Sequence, residues 1–274
     1  MFWKVKINKQ GIEVKILIDG KQHHWKALFT FGKKNKRIMS KTVLITGASR
    51  GIGRETAFKL AVDYHYQVIA LSRNKVQLQS LTEEAMQAGG KIIPLTFDLQ
   101  NEDFSRVIEL LQEHQLQSID ILINNAGFLV NKPFQEIKYT DLLRSFSVNV
   151  FSPYFLIQHL MPYLENGAPA HVVNISSMGG FQGASKFAGL SAYSSSKAAL
   201  ACITECLAEE FKQTNIRFNC LCLGAVQTEM FADAFPGAEA PVTASEMASF
   251  IARFSDEANL FMNGKIIPVA SAAP

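Results

Sequence analysis

The sequence predicts an α/β protein: a single doubly wound Rossmann domain with a seven-stranded parallel sheet, preceded by a short basic leader with strand-like patterning. Three observations support this fold. From Met39 onward, apolar β-branched runs alternate with amphipathic helical patterns, which is typical of a parallel sheet covered on both faces. A glycine-rich turn directly follows the first run, at the start of a helical pattern. No linker or solenoid-type repeat interrupts the alternation.

The predicted strands are short apolar runs that recur between helical patterns. They cover residues 42–47, 67–72, 91–97, 119–124, 170–176, 216–223 and 264–269. Helical periodicity fills the intervals, most clearly at 53–65, 74–89 and 103–115. Because each strand is followed by a helical pattern, consecutive strands are expected to run parallel.

Residues 1–38 differ from the rest of the 274-residue chain and form the first predicted segment, before a reductase domain at 39–274. They carry ten Lys/Arg and two Asp/Glu, whereas the remainder carries 17 basic and 22 acidic residues. Apolar and polar residues alternate over 2–31, with turn signals at Gln10-Gly11 and Asp19-Gly20. Three interpretations stay open: a mis-called start before Met39, a small β-hairpin or meander, or a basic binding arm. Nucleic-acid binding is therefore conceivable only for this leader, and we expect none.

Several classes of protein are disfavoured by composition. No window has the roughly 18 uninterrupted apolar residues of a membrane span, and the first ten residues lack the apolar core of a secretory signal. We predict that the four cysteines are buried free thiols in a reducing cytoplasm, with a metal or redox pair as the lesser alternative, and we expect no metal. They are Cys202, Cys206, Cys220 and Cys222.

The turn "TGASRGIG", Thr46 to Gly53, carries the clearest local signal. Gly47, Gly51 and Gly53 allow a tight turn and close approach of a ligand to the backbone. The helix that follows offers free N–H groups and a positive dipole end to a pyrophosphate. Its position between the first strand and the first helix predicts dinucleotide binding.

Four further landmarks follow the glycine turn in order. They are "NNAG" at 124–127, "VNVF" around Asn149, "NISS" ending at Ser177, and "YSSSK" with Tyr193 and Lys197. With the G-x-x-x-G-x-G spacing, this series resembles the short-chain dehydrogenase/reductase family over roughly residues 41–269. Within the family, it is similar to 3-oxoacyl-carrier-protein reductases and to general ketone reductases.

The end of the second strand predicts the choice of nicotinamide cofactor. An NAD site usually places a carboxylate there, whereas an NADP site uses arginine to bind the 2′-phosphate. The strand ends "QVIALSRN", so Ser72 and Arg73 stand where the acid would be, and Arg50 lies in the glycine turn. The sequence therefore favours NADP(H) over NAD(H).

The resemblance implies a wider set of cofactor contacts. Asp98 would lie beside the adenine, Asn125 to Gly127 under the adenosine, and Val226 with Thr228 against the carboxamide. Asn124 is expected to tie strands together, and Leu223 replaces the proline usual before Gly224. The full predicted set is Gly47, Ser49, Arg50, Gly51, Ile52, Gly53, Arg73, Asp98, Leu99, Asn125, Ala126, Gly127, Tyr193, Lys197, Val226 and Thr228.

Tyr193 and Lys197 are four residues apart, so on a helix their side chains share a face. A tyrosine with a pKa of about 10 is a poor acid–base group at neutral pH. A nearby ammonium favours the phenolate, so we expect the pKa of Tyr193 to be lowered. Tyr193 then becomes a usable general acid or base.

The resemblance also implies roles for four catalytic residues. Tyr193 would exchange a proton with the substrate oxygen, Lys197 would hold the nicotinamide ribose, Ser177 would orient the oxygen, and Asn149 would hold a water. Ser176 competes with Ser177, but the family's serine stands three residues after the position of Asn174. Ser194 to Ser196 receive no assigned chemistry.

The segments expected around the substrate are mostly apolar. The loop after Ser177 contains Met178, Phe181 and Phe187, which either line the pocket or pack the loop onto the domain. The lid after Thr228 contains Phe231 and Phe235 and no basic residue. We therefore expect a small, mostly uncharged carbonyl or alcohol substrate. The apolar stretches 150–161 and 198–211 resemble helices that pair family members into homodimers or homotetramers.

Two functions from different classes fit these residues. The favoured one is an NADP(H)-dependent oxidoreductase that transfers hydride between nicotinamide and a carbonyl or secondary alcohol. The alternative is a non-catalytic NADP-binding sensor or interaction protein on the same fold. Such proteins typically lose the tyrosine or the lysine, and both are present here.

Overall fold

The computed structural model describes residues 40–100, 103–166 and 169–270 with their side chains, and three earlier strands as backbone, Trp3–Asn8, Gly11–Ile18 and Lys21–Ala27. The chain divides into two compact units, residues 1–39 and 40–274. In the first unit, neighbouring strands pair antiparallel in chain order. The turns predicted at Gln10-Gly11 and Asp19-Gly20 lie partly outside the described residues. The boundary at residues 38 and 39 and the three interpretations of the leader stay predictions.

Seven parallel strands form the main sheet of the second unit, which confirms the predicted fold class. Their bounds are β1 Thr42–Thr46, β2 Gln67–Ser72, β3 Lys91–Thr96, β4 Ile121–Asn124, β5 His171–Ser177, β6 Arg217–Leu223 and β7 Lys265–Val269. Each bound lies within two residues of the predicted one. The order across the sheet is β7-β6-β5-β4-β1-β2-β3.

Helices connect these strands and cover both faces of the sheet. They are α1 Gly51–Val62, α2 Lys75–Gln87, α3 Ser105–Glu113, α4 Tyr139–Phe146, α5 Ser152–Glu165, α6 Ser191–Glu210, α7 Glu229–Ala234 and α8 Ala244–Glu257. A π-helical turn, Ser147–Phe151, joins α4 to α5. In the part of the chain that the structure describes, no helix is long and apolar enough to cross a membrane.

The core forms two main clusters because side chains alternate across each strand. On one face, Val43 and Ile45 pack with buried residues of α1, α2 and α8. On the other face, Leu44 packs with buried residues of α3 and α5. Both faces are covered, which explains why the strands are continuous apolar runs rather than alternating ones.

The chain reverses its direction of travel across the sheet at β1. From β1 the chain moves outward to β2 and β3, then returns to β4 on the other side of β1. Open α/β sheets bind ligands in the crevice outside the carboxyl ends of the strands at such a switch point. The carboxyl ends of β1 and β4 carry Gly47 and Asn125, both in the predicted cofactor set.

Asn124 ties neighbouring strands together, as the sequence suggested. Its Nδ2 donates to Asn174 Oδ1 at 2.8 Å, joining β4 to β5. Asn174 Nδ2 in turn donates to Thr204 Oγ1 on α6 at 2.9 Å. This buried chain holds α6 in a fixed rotation above β5.

The prediction of four buried thiols is wrong for two of them. Cys220 and Cys222 are fully buried, because residues two apart on β6 face the same side of the sheet. Cys202 and Cys206 are exposed. They are one turn apart on α6, and the face they share points away from the sheet.

Candidate active site

A cavity of about 1110 Å³ opens at the carboxyl edge of the sheet, over the switch point. Every residue predicted to contact the cofactor lines it, from Gly47 in the first turn to Thr228 after β6. Ser177 lines it as well, whereas Asn149 does not. The fold thus brings segments far apart in sequence to one cavity.

The glycine turn has the backbone shape that only glycine adopts easily. Gly47 and Gly51 have φ values of +67° and +54°. A Cβ on Gly53 would lie 2.4 Å from the carbonyl oxygen of Gly47, which no side chain could tolerate. Helix α1 has neither a side-chain cap nor an acidic residue in its first turn. Its amino-terminal N–H groups therefore suit the diphosphate of a dinucleotide.

The carboxyl end of β2 presents cations to the cavity. Arg50 and Arg73 are exposed and line it. The Ser72 hydroxyl donates to the Ser49 hydroxyl at 2.9 Å, which joins the end of β2 to the glycine turn. Arg54, the next arginine along, pairs with Glu84 and does not line the cavity. The guanidinium groups of Arg50 and Arg73 therefore face this end of the cavity.

Ser177 and Tyr193 meet at the other end of the cavity. β5 ends at Ser177 and α6 begins at Ser191. The loop between them brings Tyr193, in the first turn of α6, back beside the end of β5. Both side chains line the cavity, and Ser177 is close enough to Tyr193 to lower the pKa of its hydroxyl. Ser176 also lines the cavity, but it is buried and its hydroxyl donates to the Lys197 carbonyl at 2.7 Å. Because the Ser176 hydroxyl is used in this bond, Ser177 is the serine available beside the tyrosine.

Lys197 lies beneath Tyr193 and is almost fully buried. Its Nζ donates to the Ile175 carbonyl at 2.7 Å and lies 5.9 Å from the centroid of the Tyr193 ring. Burial lowers the pKa of Lys197 to about 8. The Lys197 ammonium is therefore held in place by a carbonyl of β5, near the Tyr193 ring.

The prediction that the pKa of Tyr193 is lowered is wrong for the protein without its cofactor. Burial among the cavity walls raises the pKa of Tyr193 to about 12, and the hydrogen bond with Ser177 lowers it by less. The prediction considered only the attraction of the lysine charge for the phenolate, and desolvation of the phenolate is the larger effect here.

Asn149 sits behind the cavity in the π-helical turn, a feature that often marks functional sites. Its Nδ2 donates to the Phe128 carbonyl and to the Ser196 hydroxyl, both at 2.9 Å. Its Oδ1 accepts from the Phe128 N–H at 2.8 Å. The side chain therefore fixes the backbone after Gly127, and both of its N–H donors are already used. A water held by Asn149 would have to bind an oxygen of this residue.

Ser196 has a positioning contact that the sequence did not reveal. Its hydroxyl accepts from Asn149 and donates to the Tyr193 carbonyl at 2.7 Å. It therefore links the π-helical turn to the start of α6. The serines of the Tyr193–Lys197 stretch are thus not equivalent: Ser196 is fully buried, whereas Ser195 is exposed.

The apolar loop residues divide between the cavity and the core. Met178 and Phe187 line the cavity, whereas Phe181 packs against a small buried cluster around Cys220 and Cys222. The lid contributes Phe231 and Phe235, whose ring centroids are 5.2 Å apart. Where proline is usual, Leu223 is buried, and the following Gly224 N–H donates to the Val269 carbonyl at 2.8 Å. That bond holds the turn without a proline.

Three polar residues at this cavity were missed by the sequence reasoning. Arg144 lines it and stacks its guanidinium 4.2 Å from the centroid of the Phe128 ring. Glu229, the first residue of α7, also lines it. Asn131 lies at its rim, where Nδ2 donates to the Ala234 carbonyl of α7 at 2.9 Å. None of the three belongs to a local motif, so spacing along the sequence could not indicate them.

Comparisons with known proteins agree with this geometry. A family model described as short chain dehydrogenase matches residues 41–239. A ketoacyl reductase, HetN, from Nostoc sp. is 35% identical over 199 residues, which are 72% of this chain and 67% of that protein. L-xylulose reductase of Caenorhabditis elegans is 35% identical over 201 residues, 73% of this chain and 77% of that protein.

Solved structures are similar over most of both chains. A short chain dehydrogenase from Shigella flexneri, complexed with NADP, superposes with a TM-score of 0.76 at 28% sequence identity. The match covers 83% of this chain and 96% of that one. The likeness therefore extends over the whole sheet and its helices.

Proposed function

The chain belongs to the short chain dehydrogenase family and is an NAD(P)-dependent oxidoreductase acting on a carbonyl/alcohol pair; we propose that it prefers NADP(H), uses Tyr193 as general acid–base, and acts on a small, mostly uncharged substrate. One observation carries the proposal: Tyr193 and Ser177 line the same cavity, and the ammonium of the buried Lys197 lies 5.9 Å from the centroid of the Tyr193 ring.

Proton transfer is the part of the reaction that this chain's own residues perform. The bound nicotinamide supplies the hydride for the carbonyl carbon. Ser177 donates a hydrogen bond to the substrate oxygen and orients it, and Tyr193 delivers the proton to that oxygen as negative charge develops there. Lys197 stabilises the resulting phenolate through its positive charge. Burial raises the pKa of Tyr193 in the protein alone, so the positive charge of an oxidised nicotinamide would have to act together with that of Lys197 to favour the phenolate.

Asn149 positions this machinery rather than entering it. Its side chain ties the backbone at Phe128 to Ser196, and Ser196 in turn bonds the Tyr193 carbonyl. A Cβ built on Gly127 would be 3.5 Å from both Asn149 Oδ1 and Lys197 Nζ, so the two side chains flank the same backbone. We propose that a water reaching Lys197 passes this point and resupplies the proton.

The preference for NADP(H) rests on the cations at the end of β2. Arg50 and Arg73 face the cavity without a carboxylate beside them at the strand end, so a 2′-phosphate can be bound by two guanidinium groups. The structural relative from Shigella flexneri was obtained with NADP. Asp98, whose Oδ1 accepts from the Gln100 N–H at 3.1 Å, would lie beside the adenine.

The substrate preference rests on the walls at the Tyr193 end. Met178, Phe187, Phe231 and Phe235 line the cavity there, and the described part of the lid contains no Lys or Arg. A carboxylate or phosphate would gain no cation from these apolar walls or from the lid, which disfavours anionic substrates at this end of the cavity. Ketones and aldehydes with apolar substituents fit this surface better.

Assembly into a homodimer or homotetramer is proposed for the outer face of α5. Phe151, Tyr154 and Phe155 are each more than two-fifths exposed and lie together at its start. An apolar patch of this kind is typical of a protein interface.

The test of this function is an NADPH-oxidation screen over ketones, aldehydes and acyl thioesters, with NADH as the control cofactor. We expect turnover of uncharged carbonyl compounds and a higher kcat/KM with NADPH. A preference for NADH would contradict the assigned roles of Arg50 and Arg73. Binding of NADPH without turnover of any carbonyl compound would favour the non-catalytic alternative.

A further inference from the structure

A carboxylate stands against the phosphate-binding turn of this chain. A Cβ built on Gly51, the first residue of α1, would lie 3.5 Å from Glu229 Oε2 and 3.4 Å from the Thr228 methyl group. Glu229 is the first residue of the lid helix α7 and lines the same cavity as the glycine turn. Its negative charge therefore sits at the amino end of α1.

The backbone that carries Glu229 is held in this place from both ends of α7. At the start, the Thr228 hydroxyl accepts from the Phe231 N–H at 3.2 Å and so caps the helix. At the end, the Ala234 carbonyl accepts from Asn131. The carboxylate can turn aside by rotation of its own side chain, but the backbone beside Gly51 is anchored.

Among the residues that the structure describes, the Glu229 carboxylate has no compensating partner. Within residues 40–100, 103–166 and 169–270, the structure contains no hydrogen bond or ion pair of its carboxylate. The neighbouring lid acid Asp233 is exposed and does not line the cavity. Glu229 is thus the acidic side chain of α7 that faces the turn.

The same place is where the cofactor's negative charge would go. Helix α1 lacks a side-chain cap and an acidic residue in its first turn, so its free N–H groups suit a diphosphate. Like charges a few ångströms apart repel, and the repulsion is only partly screened in a cavity. A carboxylate and a diphosphate at one helix end therefore oppose each other.

We propose that Glu229 is an affinity-setting residue for the dinucleotide: its carboxylate opposes the diphosphate at α1, weakens cofactor binding and speeds cofactor release. The inference rests on the cofactor-binding part of the proposed function and adds a residue that acts against binding.

The test measures NADPH binding directly, by fluorescence titration of the full chain without substrate. In Glu229→Gln the side chain keeps its size and loses its charge, so we expect the Kd for NADPH to fall about three- to tenfold at low salt. Stopped-flow displacement should show slower release by a similar factor. The matched control is Asp233→Asn, which removes a charge from the same helix outside the cavity and should leave Kd unchanged.

Ionic strength separates repulsion from a change in the lid helix. An acidic first residue also stabilises a helix through its dipole, and loss of that effect would not tighten NADPH binding. If repulsion is the cause, the difference between Glu229→Gln and wild type shrinks at about 0.5 M salt, where charges are screened within a few ångströms. Glu229→Lys, which reverses the charge, should tighten binding further than Glu229→Gln.

Two results would overturn the inference while leaving the proposed function intact. One is an unchanged or higher Kd for NADPH in Glu229→Gln, when wild type binds NADPH. The other is a decrease in Kd that Asp233→Asn reproduces, since that would reflect net charge alone. Failure of the wild-type chain to bind NADPH at all would instead count against the proposed function.

Discussion

The two edges of the same sheet are built for different purposes. At the carboxyl edge the strands open into the cavity, two glycines adopt positive φ, and Lys197 is buried with its pKa shifted. At the amino edge, several buried polar groups are paired with one another. There His171 Nδ1 contacts the Ser255 carbonyl at 2.9 Å, and Asn219 Nδ2 donates to His171 Nε2 at 3.0 Å.

Other contacts at the amino edge have the same character. Asp120 accepts from the Thr42 N–H at 2.7 Å, which joins β4 to β1. Asp256 accepts from Tyr66 at 2.6 Å and from Lys41 at 2.5 Å. The contrast indicates that the polar groups that stabilise the fold lie at the amino edge of the sheet, whereas the candidate catalytic groups lie at its carboxyl edge. Changes at the carboxyl edge should alter activity, and changes at the amino edge should alter stability.

The largest expected effect is at the carboxyl edge, in Tyr193→Phe. Removing the hydroxyl removes the proton donor, so kcat should fall about 10²- to 10⁴-fold. NADPH affinity and the melting temperature should change little, because the ring and its packing remain. Steady-state kinetics, NADPH titration and thermal unfolding measure the three quantities. Tyr139→Phe, an exposed tyrosine on α4, is the matched control. Unchanged turnover in Tyr193→Phe would refute its role as the acid.

The next effect is at the amino edge and depends on pH. Burial lowers the pKa of His171 to about 4 from 6.5, so the folded protein holds it neutral, with Nδ1–H donating to the Ser255 carbonyl. Its contribution is complete above pH 6.5 and is lost as pH falls from 6.5 toward 4. The loss should reach about 3 kcal/mol.

Urea unfolding at pH 7.5 and pH 5 measures this contribution. In His171→Asn the side chain does not titrate, so the part of the pH dependence that belongs to residue 171 should disappear. His114→Asn, at an exposed histidine, should retain the wild-type dependence. A wild-type pH dependence in His171→Asn would show that another group titrates there. Turnover at pH 7.5 should be close to wild type in the fraction that is folded.

A smaller effect is expected for Arg73→Ala at the carboxyl edge. Losing one charge-assisted contact with a 2′-phosphate should raise the Kd for NADPH about 10- to 100-fold and leave that for NADH unchanged. Lys75→Ala removes a nearby exposed charge outside the cavity and serves as the control. Equal losses for NADPH and NADH would mean that Arg73 does not contact the 2′-phosphate.

The smallest effect is expected for Asn131→Ala at the rim of the cavity. The substitution removes the bond to the Ala234 carbonyl, so the end of the lid should be less firmly held and the substrate KM should rise about three- to tenfold. The Kd for NADPH should stay the same. Asn166→Ala removes an equivalent bond, to the Gln117 carbonyl at 2.9 Å, far from the cavity. A similar change in KM in both variants would rule out a specific role of the rim.

Local patterns accounted for much of the fold and of the cofactor end of the cavity. The seven strands follow from apolar runs that are buried on both faces, and the glycine turn from backbone shapes that few other residues adopt. Ser177 rather than Ser176 was predicted from the family resemblance, in which the serine stands three residues after the position of Asn174, and both serines line the cavity. Each of these features is decided within a few residues of sequence.

Other features depend on segments that meet only after folding. The exposed thiols of Cys202 and Cys206 follow from the rotation of α6 over the sheet, which the Asn124–Asn174–Thr204 chain fixes. The raised pKa of Tyr193 follows from the walls around it, and a four-residue spacing contains no information on desolvation. Glu229 and Arg144 reach the cavity from separate segments, and Asn131 contacts the lid from a third.

By itself, therefore, the sequence determined the α/β class, the positions of the seven strands along the chain, the glycine turn and the Tyr193–Lys197 pair. These features depend on local periodicity and backbone shape. The tertiary structure alone decided which charges face each other across the cavity and which polar groups lose their water. Electrostatic energies depend on distance in space and on burial, and neither can be obtained from separation along the chain. Glu229 and Gly51 are far apart in sequence and in contact in the fold.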